Sequence, residues 1–153
     1  MPVTEWIRYD LGLPPVTDAD LDSLEAARGV SLPPDFRDVM KNHAGDRPEP
    51  NVTTVGRASV PTAELFIVAA DKSGPTTYSI WHVIEALDAY LPAEVASRLI
   101  PFTSDGGQAL LVLDYRRGDV PAVSLVDLDI MGEPQAITVA APDFATWLRQ
   151  VRD

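Results

Sequence analysis

Ala109-Leu110-Leu111-Val112-Leu113-Asp114-Tyr115 is followed by Arg116-Arg117-Gly118-Asp119 and then by Val120-Pro121-Ala122-Val123-Ser124-Leu125-Val126-Asp127-Leu128. Two apolar runs joined by so short a link can lie side by side only antiparallel, because a parallel return needs a crossover of a dozen or more residues. Pro121 has no amide hydrogen to offer a ladder, so it belongs at a strand start or on an edge. Met131-Gly132-Glu133-Pro134 then turns the chain into Gln135-Ala136-Ile137-Thr138-Val139, a third strand of the same meander.

Upstream of that meander, Ile100-Pro101-Phe102 leads into the turn cluster Thr103-Ser104-Asp105-Gly106-Gly107-Gln108. Its glycines supply positive φ and Asp105 an Asx-type bond. No Lys-Ser/Thr follows them, so the cluster reads as a turn and not as a phosphate cradle. Ser79 is placed to cap a helix with Ile80, Ile84, Leu87 and Leu91 on one stripe, Trp81 beside it and Pro92 at its end. Glu64 to Ala70 reads as a buried strand, closed by Asp71-Lys72-Ser73-Gly74-Pro75, and Tyr78 as part of a neighbouring strand. Between Gly45 and Pro61 there is no lasting period, with Pro48, Pro50 and Gly56, which predicts an irregular, exposed loop.

At the N-terminal end, Thr17 and Asp20 form a capping-box pattern with Val16 placed to staple onto Leu21, and Gly29 stops the helix. Leu21, Leu24 and Ala27 lie on its apolar side, leaving Asp18, Asp22, Glu25 and Arg28 for water. Leu32-Pro33-Pro34 opens a second helix with Phe36, Val39, Met40 and His43 on one face and Gly45 after it. Asp143 to Val151 reads as a closing helix that docks through Phe144, Trp147, Leu148 and Val151. The expected architecture is therefore α+β: a mainly antiparallel sheet with an N-terminal helical hairpin, a middle helix and a C-terminal helix packed against it. Residues 1–153 read as one domain, without repeats.

Composition narrows the chemistry. The chain has 153 residues, 46% of them hydrophobic, and at this length a globule buries about 70% of its extended surface, enough for a core without staples. With no cysteine, disulfides, thiol nucleophiles and thiolate metal sites are excluded, and a reducing cytoplasm suits such a sequence. Twelve Lys and Arg stand against 23 Asp and Glu, a net charge of −11 that argues against nucleic acid or an anionic membrane as the partner. The amino terminus has no signal-peptide pattern, and the longest apolar run, Leu65 to Ala70, is far short of the roughly 20 residues a spanning helix needs. The sequon Asn51-Val52-Thr53 has no secretory context to give it meaning.

Candidate reactive groups are few. His43 and His82 lack a paired metal spacing, and both read as structural, His43 near its helix end as a cap for carbonyls. Asp18-Ala19-Asp20-Leu21-Asp22 imitates half a calcium loop, but Ser23 and Gly29 occupy the positions that need Gly and Glu. Trp6, Trp81 and Trp147 lie beside apolar stripes and read as core. Neither a nucleophile elbow nor a dinucleotide loop occurs. The residues thus indicate no catalytic group, metal or cofactor. A pair of carboxylates acting as acid and base would be invisible in sequence, and would announce itself by a raised carboxyl pKa in a deep pocket.

Leu13-Pro14-Pro15-Val16-Thr17 with Leu21, Leu24 and Gly29, then Leu32-Pro33-Pro34-Asp35-Phe36-Arg37 and Asn42-His43-Ala44-Gly45, resembles the opening of the SUKH superfamily. Leu99-Ile100-Pro101-Phe102-Thr103-Ser104-Asp105-Gly106-Gly107 with Leu111-Val112-Leu113-Asp114 resembles its second signature, and Asp143 to Leu148 its closing helix. Ala44-Gly45-Asp46 and Gln108 depart from the glycine-rich family pattern. The superfamily includes fungal regulators of cell-wall synthesis and many bacterial immunity proteins. The resemblance implies a non-catalytic α+β domain that binds and neutralises a cognate toxin inside the producing cell.

A carboxylate-rich face suits a basic toxin domain such as a nuclease. The candidate contacts are Asp46 and Glu49 in the long loop, with Asp119, Asp127, Asp129 and Glu133 around the turns of the meander. Two other readings compete: a regulatory or scaffold module unconnected with a toxin, and a carboxylate-based hydrolase. Neither the oligomeric state nor the identity of the partner is encoded legibly.

Overall fold

The computed structural model describes residues 5–8, 15–68, 79–130 and 136–151. Its centre is a four-stranded antiparallel sheet of β5 (Leu99–Ser104), β6 (Ala109–Asp114), β7 (Ala122–Asp127) and β8 (Ile137–Ala141), in sequential order. The meander expected from the short links is therefore present, with Asp114 opposite Ala122 and Leu110 opposite Val126. Both faces of β6 are covered: Leu110, Leu111, Val112 and Leu113 are all buried. An uninterrupted apolar run is what a two-sided central strand requires.

The helical hairpin is α1 (Asp18–Arg28) and α2 (Pro34–His43). The Thr17 hydroxyl accepts from the Asp20 amide at 3.2 Å, while the Asp20 carboxylate accepts from the Thr17 amide at 2.9 Å, closing the capping box. Gly29 ends α1 at φ 65°, a left-handed position that a side chain would strain. Leu21 and Leu24 are buried, but Ala27 is exposed. The charged side of α1 is not left to water alone. Arg37 of α2 reaches Asp18 at 3.1 Å, Asp22 at 2.9 Å and Glu25 at 3.1 Å, clamping the two helices. Hydrogen bonds from Arg37 and then Lys41 hold the Asp18 carboxyl below its ordinary range.

The middle helix, α3 (Ile80–Tyr90), buries Ile80, Trp81, Ile84 and Leu87. Ser79 is its N-cap without a side-chain bond to the helix. A four-residue helix, α4 (Ala93–Ala96), follows Pro92. Arg28 ties α1 to α3 through Asp88 at 3.0 Å. The last helix, α5 (Phe144–Gln150), begins at Asp143, whose carboxylate accepts from the Thr146 amide at 2.7 Å. That cap lowers the Asp143 pKa.

Three expectations change. The stretch after Gly45 is not an irregular loop. It contains β2 (Arg47–Glu49), paired with β1 (Glu5–Ile7), and a hairpin of β3 (Val52–Val55) with β4 (Ala58–Pro61). Strands of three or four residues are too short to display a period, and β2 finds its partner some forty positions away in the chain. Leu65 to Val68 are buried as expected, yet they form only isolated bridges, Leu65 to Thr103 and Ile67 to Ser79. Ala69 to Tyr78, including the expected turn and Tyr78, lie outside the described residues. Finally, Ile100-Pro101-Phe102 is not a lead-in but the middle of β5, where a register shift between Pro101 and Thr103 accommodates a residue with no amide hydrogen.

Helices and sheet meet in an aromatic cluster. The Phe102 ring lies edge-on to Phe36 at 6.0 Å, to Phe144 at 5.5 Å and to Trp147 at 5.1 Å between centroids. The Trp147 indole N–H donates to the Thr53 hydroxyl at 2.9 Å, so α5 is fixed to β3 as well. Trp147 and Trp81 are core residues as expected, whereas Trp6 is half-buried. Truncation of Phe102 to Ala removes the ring that all three others touch. We expect Phe102→Ala to lose about 3–5 kcal/mol in urea unfolding. A loss below about 1 kcal/mol would show that the cluster closes up without it.

Candidate interaction surface

Of the six carboxylates proposed as contacts, the five among the described residues do not share one face. Asp46 is buried, its side chain 9% exposed, and cannot serve as a surface contact. Its carboxylate lies 3.2 Å from His43 Nδ1, and its backbone oxygen accepts from the Leu65 amide. It is a hinge post between α2 and the buried segment beyond β4. The same contact redefines His43, whose ring faces Asp46 and stacks on Trp6 at 4.3 Å instead of capping carbonyls. Glu49 is half-buried in β2 beside Glu5 and pairs with Arg47 at 3.1 Å. Glu133 lies outside the described residues.

The remaining three sit at opposite ends of one strand. Asp127 closes β7, and its carboxylate accepts from the Asp129 amide at 3.0 Å, so these two carboxylates flank one turn. Asp129 is exposed on the 3-10 turn Leu128–Ile130. Asp119 is exposed in the β6–β7 hairpin, at the far end of that strand, which at about 3.3 Å per residue puts it roughly 20 Å or more from Asp127.

That hairpin is firmly rooted. Asp114, at the end of β6, is buried and accepts from Arg116 Nε at 2.9 Å, from the Arg116 amide at 3.0 Å and from the Ser124 hydroxyl at 2.7 Å. Burial alone would raise its pKa; hydrogen bonds from Arg116 and Ser124 outweigh it, and the carboxyl titrates below its ordinary range. Next to it, the Tyr115 carbonyl accepts two bonds from Arg98 and its phenol donates to the Ser31 carbonyl at 2.8 Å. Burial pushes that phenol above its ordinary range.

Two shallow depressions flank the hairpin. One of about 450 Å³ is lined by Asp114, Arg117, Val120, Ala122, Val139 and Pro142, among others. The other, of about 400 Å³, is bordered by Glu25, Ser31, Arg98, Tyr115 and Asp119. Arg117, Val120 and Val139 were not foreseen as surface groups. The one available signal was the Arg-Arg-Gly-Asp-Val tip, where a valine follows four turn residues and precedes Pro121. Among the described residues no group of three or more His, Asp or Glu is arranged to hold a metal ion. No helix of the described residues is long and apolar enough to cross a membrane.

These features define a small acidic α+β domain that presents an exposed hairpin tip above the buried Asp114 and Tyr115. The model of the SMI1 / KNR4 family (SUKH-1) matches residues 15–150, and the chain belongs to that family. No curated protein shows significant similarity to the chain.

The Asp114 network has a pH signature. A carboxyl whose folded pKa is depressed stabilises the fold above its unfolded pKa of about 3.9, and that contribution fades as pH falls through the folded value. We expect Asp114→Asn to destabilise by about 2–3 kcal/mol at pH 7. The gap to wild type should narrow steadily below about pH 4 in denaturant titrations. A gap that stays constant down to pH 2 would remove the charge from the explanation.

Proposed function

We propose that the chain is a non-catalytic immunity protein that binds and neutralises a basic toxin domain, such as a nuclease, in the cytoplasm. Family membership supports a protein-binding role. The single observation that carries the electrostatic half is where the charges go. Arg28, Arg37, Lys41, Arg47 and Arg116 are all engaged by carboxylates of the chain itself. Among the described residues, Glu5, Glu85, Glu94, Asp119 and Asp129 are exposed and have no ion pair. Among the same residues, Arg57 and Arg117 are exposed without an ion pair as well, so the field is acidic because carboxylates outnumber cations, 23 against 12, and that excess attracts a basic partner. Asp119, Asp127 and Asp129 are the contact groups of this reading, with Glu49 at a separate edge and Glu133 following Asp129 in the sequence. Asp46, being buried, is assigned to the fold.

Against a paired-carboxylate hydrolase stands the direction of the carboxyl shifts among the described residues. Asp18, Asp114 and Asp143 are all lowered, whereas a general acid needs its pKa raised.

Co-expression with a toxin encoded next to this gene is expected to restore growth that the toxin alone arrests. In purified form, the association rate should fall roughly tenfold between about 50 mM and 500 mM salt, and Asp119→Lys with Asp129→Lys should slow it further. Absence of rescue together with a stable complex with a non-toxic protein would turn the assignment to a regulatory or scaffold module. An association rate indifferent to salt would remove the steering argument.

A further inference from the structure

The hollow between the β6–β7 hairpin and β8 combines three properties seldom found together on a surface this acidic. First, it is apolar and open. Val120 is 77% exposed and Val139 40%, unusual for large aliphatic side chains. By strand register Asp114, Ala122, Ser124 and Val139 lie on one face of the sheet. Second, it is recessed because small residues line it: Ala122, Ala140 and Ala141 supply only methyl groups between the two valines and Pro142. A register shift between Val123 and Ser124 where β7 meets β8 falls beside the same spot. Third, its charge is positive. Asp114 at its floor is already neutralised by Arg116 at 2.8 Å, whereas Arg117 at its rim makes no hydrogen bond or ion pair among the described residues.

We propose that this hollow receives an apolar side chain of a protein partner, flanked in that partner by a carboxylate that pairs with Arg117. The proposal rests on the reading of the chain as a protein-binding domain and adds the chemistry of the bound segment. An aliphatic side chain entering the hollow covers Val120 and Val139, the two most exposed aliphatic groups of the sheet region, and removes their surface from water. A carboxylate beside it meets the one free guanidinium there, and a lysine in that place would meet repulsion. Asp119 turns to the other depression, with Tyr115 and Arg98, so the hairpin tip offers a cationic apolar side and an anionic side. A partner that is basic overall can present both complements, and the hollow then sets the register while the acidic side draws the partner in.

The test uses the full chain, isotope-labelled, and three acetylated pentapeptides as probes: Gly-Asp-Leu-Asp-Gly, Gly-Lys-Leu-Lys-Gly and Gly-Asp-Gly-Asp-Gly. The expected result is saturable amide shifts at Val120, Ala122, Val139 and Ala140 with the first peptide, at a dissociation constant on the order of millimolar. The leucine-free peptide should bind at least about fivefold more weakly, and Arg117→Glu should weaken the first peptide about fivefold while improving the lysine peptide. Val120→Asp, at a site too exposed to matter for folding, should abolish the shifts. The proposal is overturned if no peptide shifts these amides up to about 5 mM, if the shifts fall elsewhere, or if Arg117→Glu changes nothing. Failure here with growth rescue intact would sink the hollow alone. Peptide binding without any toxin partner would sink the immunity reading alone.

Discussion

The edge-to-face contacts around Phe102 are the constraint on which the other parts of the fold depend. Phe36 comes from α2, Phe102 from the outer strand β5, and Phe144 and Trp147 from α5. Four rings from three elements widely separated in sequence must therefore arrive together. Edge-on geometry lets a ring's positive rim meet its neighbour's negative face, which fixes orientation as well as distance. Once Trp147 is oriented, its indole N–H has one direction to donate, and it meets Thr53 in a buried setting. That bond joins the packing of β3 against β8 and the Ala63 amide's bond to the Ser104 carbonyl of β5 in placing the β3–β4 hairpin. A buried N–H left without an acceptor would cost more than the bond itself contributes, so the pairing restricts alternatives strongly.

Charge performs the complementary task on the outer side of the helices. Arg37 addresses three carboxylates spaced along one face of α1, and Arg28 reaches from the end of α1 to Asp88 of α3. The guanidinium groups are largely covered, but Asp18, Asp22 and Asp88 open to water, and pairs screened on that side are individually weak. Their effect lies in selecting the relative rotation of helices whose buried faces, Leu21 and Leu24 on one and Phe36 and Met40 on the other, would tolerate some sliding. The pairing leaves the acidic excess unchanged: it is set by 23 Asp and Glu against 12 Lys and Arg and is carried by the carboxylates that no cation of the chain engages.

How far the sequence could be read follows the range of the interactions. Local signals were legible: the capping box at Thr17 and Asp20, the stop at Gly29, the Asx bond of Asp105 to the Gly107 amide at 2.7 Å, and the meander of β6 to β8. Each depends on residues within a few positions or on a link too short for any other topology. What was not legible depends on partners far along the chain. Arg47-Pro48-Glu49 carries no strand pattern, and it is a strand because Glu5-Trp6-Ile7 pairs with it. Asp46 looked like a loop carboxylate because nothing in its neighbourhood shows that His43 and Leu65 would enclose it. Ile100-Pro101-Phe102 reads in sequence as a lead-in to the turn cluster, and it is the partnership with β6, with its register shift after Pro101, that makes it a strand. The candidate surface fared as its residues' range dictates: Asp119 and Asp129 are at turns and exposed, while the hollow beside Val120 and Val139 needs β7 and β8 aligned in register before it exists.

The hairpin that carries Arg117, Asp119 and Val120 illustrates how a rigid interior serves an exposed tip. A surface loop that orders only on binding gives up part of its interaction energy to conformational entropy, on the order of 1–2 kcal/mol per residue fixed. Here the β6 end of the tip is held beforehand, and through Ser124 it is tied to β7. Asp114 is locked by Arg116 and Ser124 on one side, and the Tyr115 backbone and phenol are bound to Arg98 and Ser31 on the other. Four residues, 117–120, are thus displayed beyond a stem whose two neighbouring residues, Asp114 and Tyr115, are both buried. Their side chains can differ widely without disturbing the bonds that present them, because none of those bonds uses a side chain of the tip. A fold organised in this way separates the residues that stabilise it from the residues that meet a partner, and recognition can change while the scaffold beneath does not.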